Sequence, residues 1–401
     1  MNQDKVKKIR ERIKKVPIVS GQSDKKNKSS WDDLVFVPAQ LAKRPVDYFN
    51  QEISTKTIIG KTSKRPVELE KPIIIGAMSF GALSREAKTA LAKASSLAGT
   101  MENTGEGGML SEERKFSERL IVQYSTGRFG ISEEVLKKSD AVEIKIGQGA
   151  KGGQGGLLLG GKVTDEIAQI RGVEKGKDIH SPAYHQDIKN IDDLKRKVEW
   201  LRNITNGAPI IIKLAAGDIE ADVSFAVRAN PDIIAIDGME GGTGAAPEIM
   251  LNQMGIPAMP ALVRARNVLD KTNAKQELWI GGGLSAGADF AKALALGADA
   301  VFCATPLLIA MGCIQCGLCS LGECPKGIVT QKEILRQKLD IEEASQNIAN
   351  FIKNCNEEIK MIAGAAGKDN IHNLSQNDLR ALSLEIAKIS GVKLVLEQSL
   401  N

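Results

Sequence analysis

Short apolar runs alternate with helical patterns along the chain from Pro72 onward. The runs are rich in isoleucine and valine and end in glycine or polar residues, which is typical of parallel strands buried on both faces. Between them, apolar residues recur every third or fourth position, as in SREAKTALAKASSLAG, IDDLKRKVEWLRNIT and AGADFAKALALGA. That spacing predicts amphipathic helices. The alternation therefore predicts an α/β protein with parallel strands covered by helices.

The number of candidate strands favours a closed barrel. We identify roughly eight, which is the number in a (β/α)8 TIM barrel: PIIIGAMSF, TMENTG, LIVQYS, AVEIKIG, PIIIKLAA, DIIAIDG, LWIGGG and AVFCAT. A doubly wound open sheet is the alternative. The barrel is favoured because the last two strands end in Gly281-Gly282-Gly283 and Ala304-Thr305, where barrels bind phosphate with backbone N–H groups. A plain turn is the other interpretation of the glycines.

A long glycine-rich insertion lies between Gly147 and His185. It is too long for an ordinary barrel loop and carries Lys151, Lys162 and Arg171. We therefore expect an active-site loop that folds over the strand ends and presents cations to an acidic substrate.

Two nucleotide-binding motifs match inside this insertion, but each lacks a feature that nucleotide binding needs. Gly147, Gly149 and Gly152 satisfy the dinucleotide spacing, yet more glycine loop follows instead of an amphipathic helix. The segment Gly156–Lys162 imitates a phosphate loop, but Val163 replaces the Ser or Thr that would bind magnesium. We expect no nucleotide there.

Four closely spaced cysteines, Cys313, Cys316, Cys319 and Cys324, precede Pro325 in GCIQCGLCSLGECPKG. The run is similar to the ferredoxin pattern that ends in Cys-Pro, with one extra residue before the last cysteine, and it favours an iron-sulfur cluster. A zinc site is the main alternative, although such sites usually pair two separated knuckles. Buried thiols or disulfides are the third interpretation.

Composition indicates a globular enzyme. The chain has 401 residues, 42% of them hydrophobic, and a net charge of +5 that is dispersed apart from a basic N-terminal cluster. These values predict no nucleic-acid partner. No signal peptide follows Met1, and Pro306 interrupts the apolar stretch Ala300–Leu321, so we expect no membrane segment. Only Cys303 and Cys355 lie outside the cysteine run, which fits the reducing cytoplasm.

The predicted organisation has three parts. Residues 1–70 form an N-terminal arm and lead-in, with KVKKIRERIKK as a solvated helix or disordered segment. Residues 71–331 form the barrel with the cysteine loop at 312–327. Residues 332–401 form a helical tail that includes LDIEEASQNIANFIKNCNEEIKMIAGAAG and NDLRALSLEIAKIS.

From Trp31 to Gln331 the sequence resembles the central flavin and iron-sulfur domain of glutamate synthase, an FMN barrel. The resemblance rests on the order and spacing of GAMSFGALS, ENTGEGG, TGRFGIS, EIKIGQGAKGGQGG, KVTDEIAQIRG, SPAYHQDI, EGGTGAAP, GGGLSAGAD and CPKGIVTQ.

The resemblance implies two groups of site residues. The backbone of Ala77, Met78 and Ser79 would lie along the flavin ring, Lys213 near its N1 and C2 oxygen, and the phosphate and ribityl wall would comprise Gly242, Gly244, Gly282, Gly283 and Thr305. The carboxylates of 2-oxoglutarate or 2-iminoglutarate would face Lys145, Gln148, Lys151 and Arg171, and Glu106 would relay ammonia or a proton.

The resemblance also bears on the cluster. The family's three-iron cluster uses a spacing that here selects Cys313, Cys319 and Cys324. Cys316 is then an additional thiol, which would complete a four-iron cluster or point away from a three-iron one.

Several residues depart from the family pattern. Leu157 and Leu159 replace residues that shape the substrate and ammonia path, Glu240 replaces an aspartate, and Ala183 and Tyr184 replace prolines. With these changes we still expect flavin binding, but the identity of the amino donor stays open.

The resemblance implies reductive amination of 2-oxoglutarate to glutamate at FMN, with electrons delivered through the cluster. No nicotinamide motif is convincing, so ferredoxin or a separate reductase would supply electrons, and separate glutaminase and β-helix subunits would be partners. One alternative is the flavin subunit of N-methylglutamate synthase, and another is a non-catalytic electron-transfer component. A hydroxyacid oxidase or isoprenoid isomerase barrel is a weaker alternative, because a hydroxyacid oxidase would need a histidine near the seventh strand, where none occurs.

Overall fold

A computed structural model describes residues 19–20, 31–244 and 246–396 of the chain. The predicted basic N-terminal helix or arm falls outside these residues. Eight parallel strands form one sheet: β1 (Ile73–Ile75), β2 (Glu102–Asn103), β3 (Leu120–Tyr124), β4 (Ala141–Lys145), β5 (Ile210–Ala215), β6 (Ile233–Asp237), β7 (Glu277–Gly281) and β8 (Ala300–Cys303). Each of the predicted strands is confirmed.

The sheet is an almost closed barrel. Its strands pair in the order β1-β8-β7-β6-β5-β4-β3-β2. The two end strands approach each other where Ile75 N donates to Met101 O at 3.0 Å. The predicted (β/α)8 barrel is therefore confirmed, and the doubly wound sheet is excluded.

Helices surround the barrel. They are α1 (Arg85–Ala98), α2 (Ser111–Phe116), α3 (Glu133–Lys137), α4 (Asp165–Arg171), α5 (Ile191–Ile204), α6 (Ile219–Arg228), α7 (Glu248–Gln253), α8 (Ala258–Lys271), α9 (Gly287–Ala295), α10 (Thr305–Ala310), α11 (Glu333–Arg336), α12 (Ile341–Ala365) and α13 (Leu384–Ser390). Within the described part of the chain, no helix has the length and apolar character needed to cross a bilayer.

Local sequence sets the ends of the long helices. Ser84 begins α1, where its side chain accepts from Ala87 N, and Gly99 ends the helix with a left-handed φ of 66°. Asn190 caps α5 in the same way as Ser84. These residues satisfy backbone groups that a helix end leaves without partners.

Alternate strand residues fill the barrel interior. Ile74, Ile211, Ile233 and Trp279 pack in one inner cluster, together with Ile59 of a hairpin formed by two short strands. That hairpin pairs residues 57–59 with residues 67–69 and lies at the end where the barrel strands begin. Because the hairpin closes that end, the polar site can open only at the opposite end of the strands.

The segment between β4 and α5 is the predicted insertion. It contains the antiparallel pair Leu157–Leu158 with Ile179–His180, and the helix α4 lies between those two strands. The insertion is therefore a small folded unit on the carboxyl-terminal side of β4.

The tail is helical in α12 and α13, but one part of the prediction is wrong. Residues Leu379–Ala381, predicted as helix within NDLRALSLEIAKIS, form a strand that pairs with Leu34–Phe36. This pairing joins the two ends of the described chain. It satisfies backbone groups through a distant segment, which local helical periodicity cannot indicate.

A buried charge cluster holds the loop between β2 and α2. The Lys88 ammonium of α1 lies 2.8 Å from Glu102 Oε1 and 2.8 Å from Glu113 Oε1, and all three side chains are fully buried. Lys88 also donates to Asn103 O at 3.2 Å, while Glu113 accepts from Leu110 N at 2.7 Å. One ammonium therefore ties both ends of the loop to α1.

We expect Lys88→Met to lower the free energy of unfolding by about 3–5 kcal/mol, because it leaves two carboxyl groups buried without a counter-ion. The matched control is Lys93→Met on the same helix. Lys93 pairs with the exposed Glu342, and its loss should cost less than about 1 kcal/mol. Urea denaturation of both variants measures the difference, and equal losses would contradict this role of Lys88.

Candidate active site

The residues singled out from the sequence lie at the carboxyl-terminal ends of the barrel strands. By position, they follow or end β1 (Ala77, Met78, Ser79), β2 (Glu106), β4 (Lys145, Gln148, Lys151), β6 (Gly242, Gly244), β7 (Gly282, Gly283) and β8 (Thr305), while Lys213 lies within β5 and Arg171 ends α4. Parallel strands place these ends around one mouth, where barrel enzymes have their sites.

Glu106 is the central carboxylate of this mouth. Its Oε2 lies 2.9 Å from Lys145 Nζ, and its Oε1 accepts from the Ser181 hydroxyl. Burial alone would raise the pKa of Glu106, but Lys145, Ser181 and Arg171 hold that pKa at about 2. The side chain is therefore an ionised acceptor.

Two glycines leave room for the Arg171 guanidinium. Added methyl groups on Gly81 and Gly107 would each lie 3.0 Å from Arg171 Nη2. The same nitrogen donates to Phe80 O at 2.5 Å, while the buried Nε has no hydrogen-bond partner among the described residues. Burial lowers the pKa of Arg171 to about 10, and Glu106 opposes this change.

Lys151 is a buried cation without a protein counter-ion contact. It is 8% exposed, and the described residues provide its ammonium with neither a hydrogen bond nor an ion pair. Burial and the charge of Lys145 lower its pKa to about 8, while Glu106 acts in the opposite direction. Gln148 lies beside it, since Gln148 O accepts from Lys151 N at 3.1 Å.

The charges at the mouth do not balance. Lys145, Lys151 and Arg171 surround Glu106. Lys145 and Arg171 lower the pKa of Glu106 and so favour its ionised form. Three buried or half-buried cations thus surround Glu106, and Lys145 also acts on one further carboxyl group, Asp237 at the end of β6. Because buried charge is costly without a partner, this arrangement favours binding of an anion.

A second polar group lies deeper in the barrel. Lys213 Nζ is 3.2 Å from Glu143 Oε1, which also accepts from Gln123 Nε2 at 2.6 Å. Asp237 accepts from Gly149 N at 2.9 Å. Burial raises the pKa of Asp237, and Lys213 opposes that rise. Gln123, Glu143 and Asp237 were not among the predicted site residues, although polar residues at inward-facing strand positions are a readable signal.

The loops after β7 and β8 form a close-packed wall. Gly282 has φ of 106°, and an added methyl group would lie 2.9 Å from the backbone of Gly238. Only glycine fits there without strain. After β8 the short helix α10 begins at Thr305.

The cysteine loop packs against the same mouth. A methyl group on Gly244 would lie 3.0 Å from Cys319 Cβ, and Lys162 Nζ donates to Cys319 O at 2.7 Å. None of the four cysteines forms a disulfide. Burial raises the pKa of Cys319, and the charges of the other three thiols add to this rise, which means that all four lie near one another.

The thiols nevertheless do not form a ready ligand set. Across residues 31–244 and 246–396, no three His, Cys, Asp or Glu side chains are arranged so that they could hold a metal ion. The four thiols are donors that suit an iron-sulfur cluster, and three of them lie near Cys319.

Sequence comparisons agree with the glutamate synthase resemblance. A family model described as "Conserved region in glutamate synthase" matches residues 6–369. The glutamate synthase large subunit-like protein of Rhizobium meliloti (strain 1021) is 37% identical over 396 residues, with 94% of this chain and 90% of that protein covered. The archaeal glutamate synthase (NADPH) of Archaeoglobus fulgidus is 39% identical over 396 residues, with 92% and 78% covered.

Solved structures that resemble this chain share its barrel. An (S)-mandelate dehydrogenase superimposes with a TM-score of 0.59 and 16% identity, covering 90% of this chain and 92% of that one. A Pediococcus acidilactici protein described as "(Putative)lactate oxidase" gives a TM-score of 0.58 at 16% identity, covering 90% of this chain and 88% of that one. At this identity the comparison supports the fold alone.

We expect Ser181→Ala to raise the pKa of Glu106 by about one to two pH units, because a hydrogen bond to a charged group contributes about 1.5–3 kcal/mol. Carbon-13 NMR of the glutamate carboxyl groups across an acid titration measures this change. Ser111→Ala is the control, since Ser111 contacts Glu112 instead. An unchanged Glu106 titration in Ser181→Ala would contradict the described contact.

Proposed function

Because the chain belongs to the glutamate synthase family, we propose that it reduces the imine of 2-oxoglutarate and ammonia to glutamate at bound FMN. The observation that carries this proposal is the excess of buried cations at the barrel mouth. A dicarboxylate would supply negative charge to Lys145, Lys151 and Arg171, which outnumber the ionised Glu106 that they surround.

The residues at the mouth fit a flavin. A methyl group on Gly282 would meet the backbone of Gly238, so only glycine fits at this position of the wall that would hold the FMN phosphate. The ammonium of Lys213 lies in the barrel interior, 5.9 Å from the Phe302 ring centroid. There it would face the flavin ring, which would lie over the strand ends. When bound, FMN would supply hydride to the substrate.

The reaction consumes two electrons and two protons. Condensation of 2-oxoglutarate with ammonia releases water, and the resulting C2 imine gains one hydride at carbon and one proton at nitrogen. In this proposal Lys151 and Arg171 bind the carboxylates and fix the imine carbon. Glu106 stays ionised, and it orients the Lys145 ammonium without donating a proton.

A separate source of electrons is part of the proposal. The cysteine loop lies at the mouth, and a cluster held by Cys313, Cys319 and Cys324, with or without Cys316, would pass electrons from ferredoxin or a reductase subunit. Ammonia would come from a separate glutaminase subunit or from solution. We also propose a cytoplasmic location, which agrees with the six free cysteines of the structure.

The test of the function uses FMN-loaded protein that has been reduced anaerobically. We expect 2-oxoglutarate with ammonia to reoxidise the flavin and to yield glutamate, detected by mass spectrometry. Methylamine replaces ammonia in a parallel reaction, and formation of N-methylglutamate in that arm alone would favour the N-methylglutamate synthase alternative. A flavin that neither mixture reoxidises would leave only the non-catalytic electron-transfer component.

Binding of 2-oxoglutarate should weaken as the pH rises above 8. The pKa of Lys151 is about 8, so its ammonium fraction falls from about 0.9 at pH 7 to about 0.1 at pH 9, and the affinity should fall by up to about tenfold. Calorimetric titration measures it. Lys151→Arg keeps its charge and should show no such decline. Wild-type affinity that is constant from pH 7 to 9 would argue against Lys151 as a carboxylate ligand.

We expect anaerobically purified protein to contain about four iron atoms and matching acid-labile sulfide per chain. Cys319→Ser should lose both, whereas Cys355→Ala, which alters a buried thiol of α12, should keep them. Cys316→Ser should show the spin-resonance signal of a three-iron cluster. The same signal in anaerobic wild-type protein would refute Cys316 as a fourth ligand.

A further inference from the structure

His185, directly after the insertion, is a buried histidine with both ring nitrogens engaged. Its Nε2 lies 2.8 Å from Lys145 O, and its Nδ1 lies 2.7 Å from Arg128 Nη1. A guanidinium only donates, so Nδ1 must accept, and the ring hydrogen must be on Nε2, which donates to Lys145 O. The ring stacks parallel to Tyr124, with centroids 6.0 Å apart.

Arg128 holds this orientation from the other side. Its guanidinium lies 3.8 Å from the Tyr124 ring centroid and 2.7 Å from Asp187, which also pairs with Lys197 at 2.8 Å. The backbone of Arg128 has φ of 55°, a conformation that costs free energy for a non-glycine residue. The structure thus keeps a strained residue where it fixes the imidazole.

The Lys145 carbonyl, which accepts from the imidazole, lies at the end of the hydrogen-bond ladder between β3 and β4. In the register between β3 and β4, Tyr124 pairs with Ile144, and β3 then ends. Lys145 therefore lies one residue beyond the last pair on that side, and His185 supplies a donor for its carbonyl. On the other side, Ile146 N donates to Lys213 O at 2.9 Å. The backbone of Lys145 is held from both directions.

We propose that His185 is a positioning residue, which as the Nε2–H tautomer fixes the backbone of Lys145 and so aims the Lys145 ammonium at Glu106 and the substrate carboxylate. This inference rests on the proposed function, since it assigns a task to the proposed dicarboxylate site. His185 exchanges no proton with substrate, because both of its nitrogens are committed to protein partners.

The electrostatic surroundings agree with a neutral ring. Burial and the charge of Arg128 lower the pKa of His185 to about 4, and Lys197 acts in the same direction. The Lys145 carbonyl and Asp187 oppose them. A neutral imidazole keeps one donor and one acceptor, as its two partners require.

The experiment compares His185→Phe with His185→Gln in FMN-loaded protein. Phenylalanine keeps a ring on Tyr124 but loses the donor to Lys145 O, whereas the glutamine amide can still donate. Calorimetry should show 2-oxoglutarate binding weakened roughly tenfold or more in His185→Phe and within about threefold of wild type in His185→Gln. Thermal melting of both variants shows whether they fold.

Nitrogen-15 NMR of the wild-type histidines provides a readout that does not depend on function. We expect the Nε2–H tautomer for His185, unchanged between about pH 5.5 and 8. A ring that is protonated on Nδ1 or titrates in this range overturns the inference. Because this measurement uses wild-type protein, it tests the inference even if His185→Phe does not fold. Equal affinity of wild type and folded His185→Phe also overturns it. Wild-type protein that has the expected tautomer but binds no 2-oxoglutarate refutes the proposed function instead.

Discussion

The ion pair between Lys145 and Glu106 is the interaction on which the mouth of the barrel depends. It joins the end of β4 to the loop after β2, with 2.9 Å between Lys145 Nζ and Glu106 Oε2. The same carboxylate accepts a hydrogen bond from the Ser181 hydroxyl of the insertion. One charge therefore connects three separate segments, and the electrostatic state of Glu106 affects each of them.

The position of Glu106 is itself fixed from outside the site. The Lys88, Glu102 and Glu113 cluster ties both ends of its loop to α1, and His185 holds the backbone of Lys145. Burial of so much charge is expensive. It is consistent with a site that must present cations in a fixed geometry, because preorganised charges need no rearrangement when an anion arrives.

The sequence predicted the barrel because each strand is a compact apolar run whose pattern does not depend on distant residues. The family resemblance named Glu106, Lys145, Lys151 and Arg171, and the structure brings these four side chains together. It did not name Ser181, whose role depends on a contact across the insertion. Nor did local periodicity reveal the strand at Leu379–Ala381, since a partner at the other end of the described chain stabilises it. Cysteine spacing supplied the donor types but not their arrangement.

The proposed function requires that the cations around Glu106 bind a dicarboxylate beside a flavin. A crystal structure of the FMN-loaded protein with 2-oxoglutarate tests this requirement. We expect substrate carboxylate oxygens within hydrogen-bond distance of Lys151 Nζ and the Arg171 guanidinium, with the C2 carbon against the flavin ring. A 2-oxoglutarate molecule bound away from these cations, with Lys151 still without a counter-ion, would contradict it.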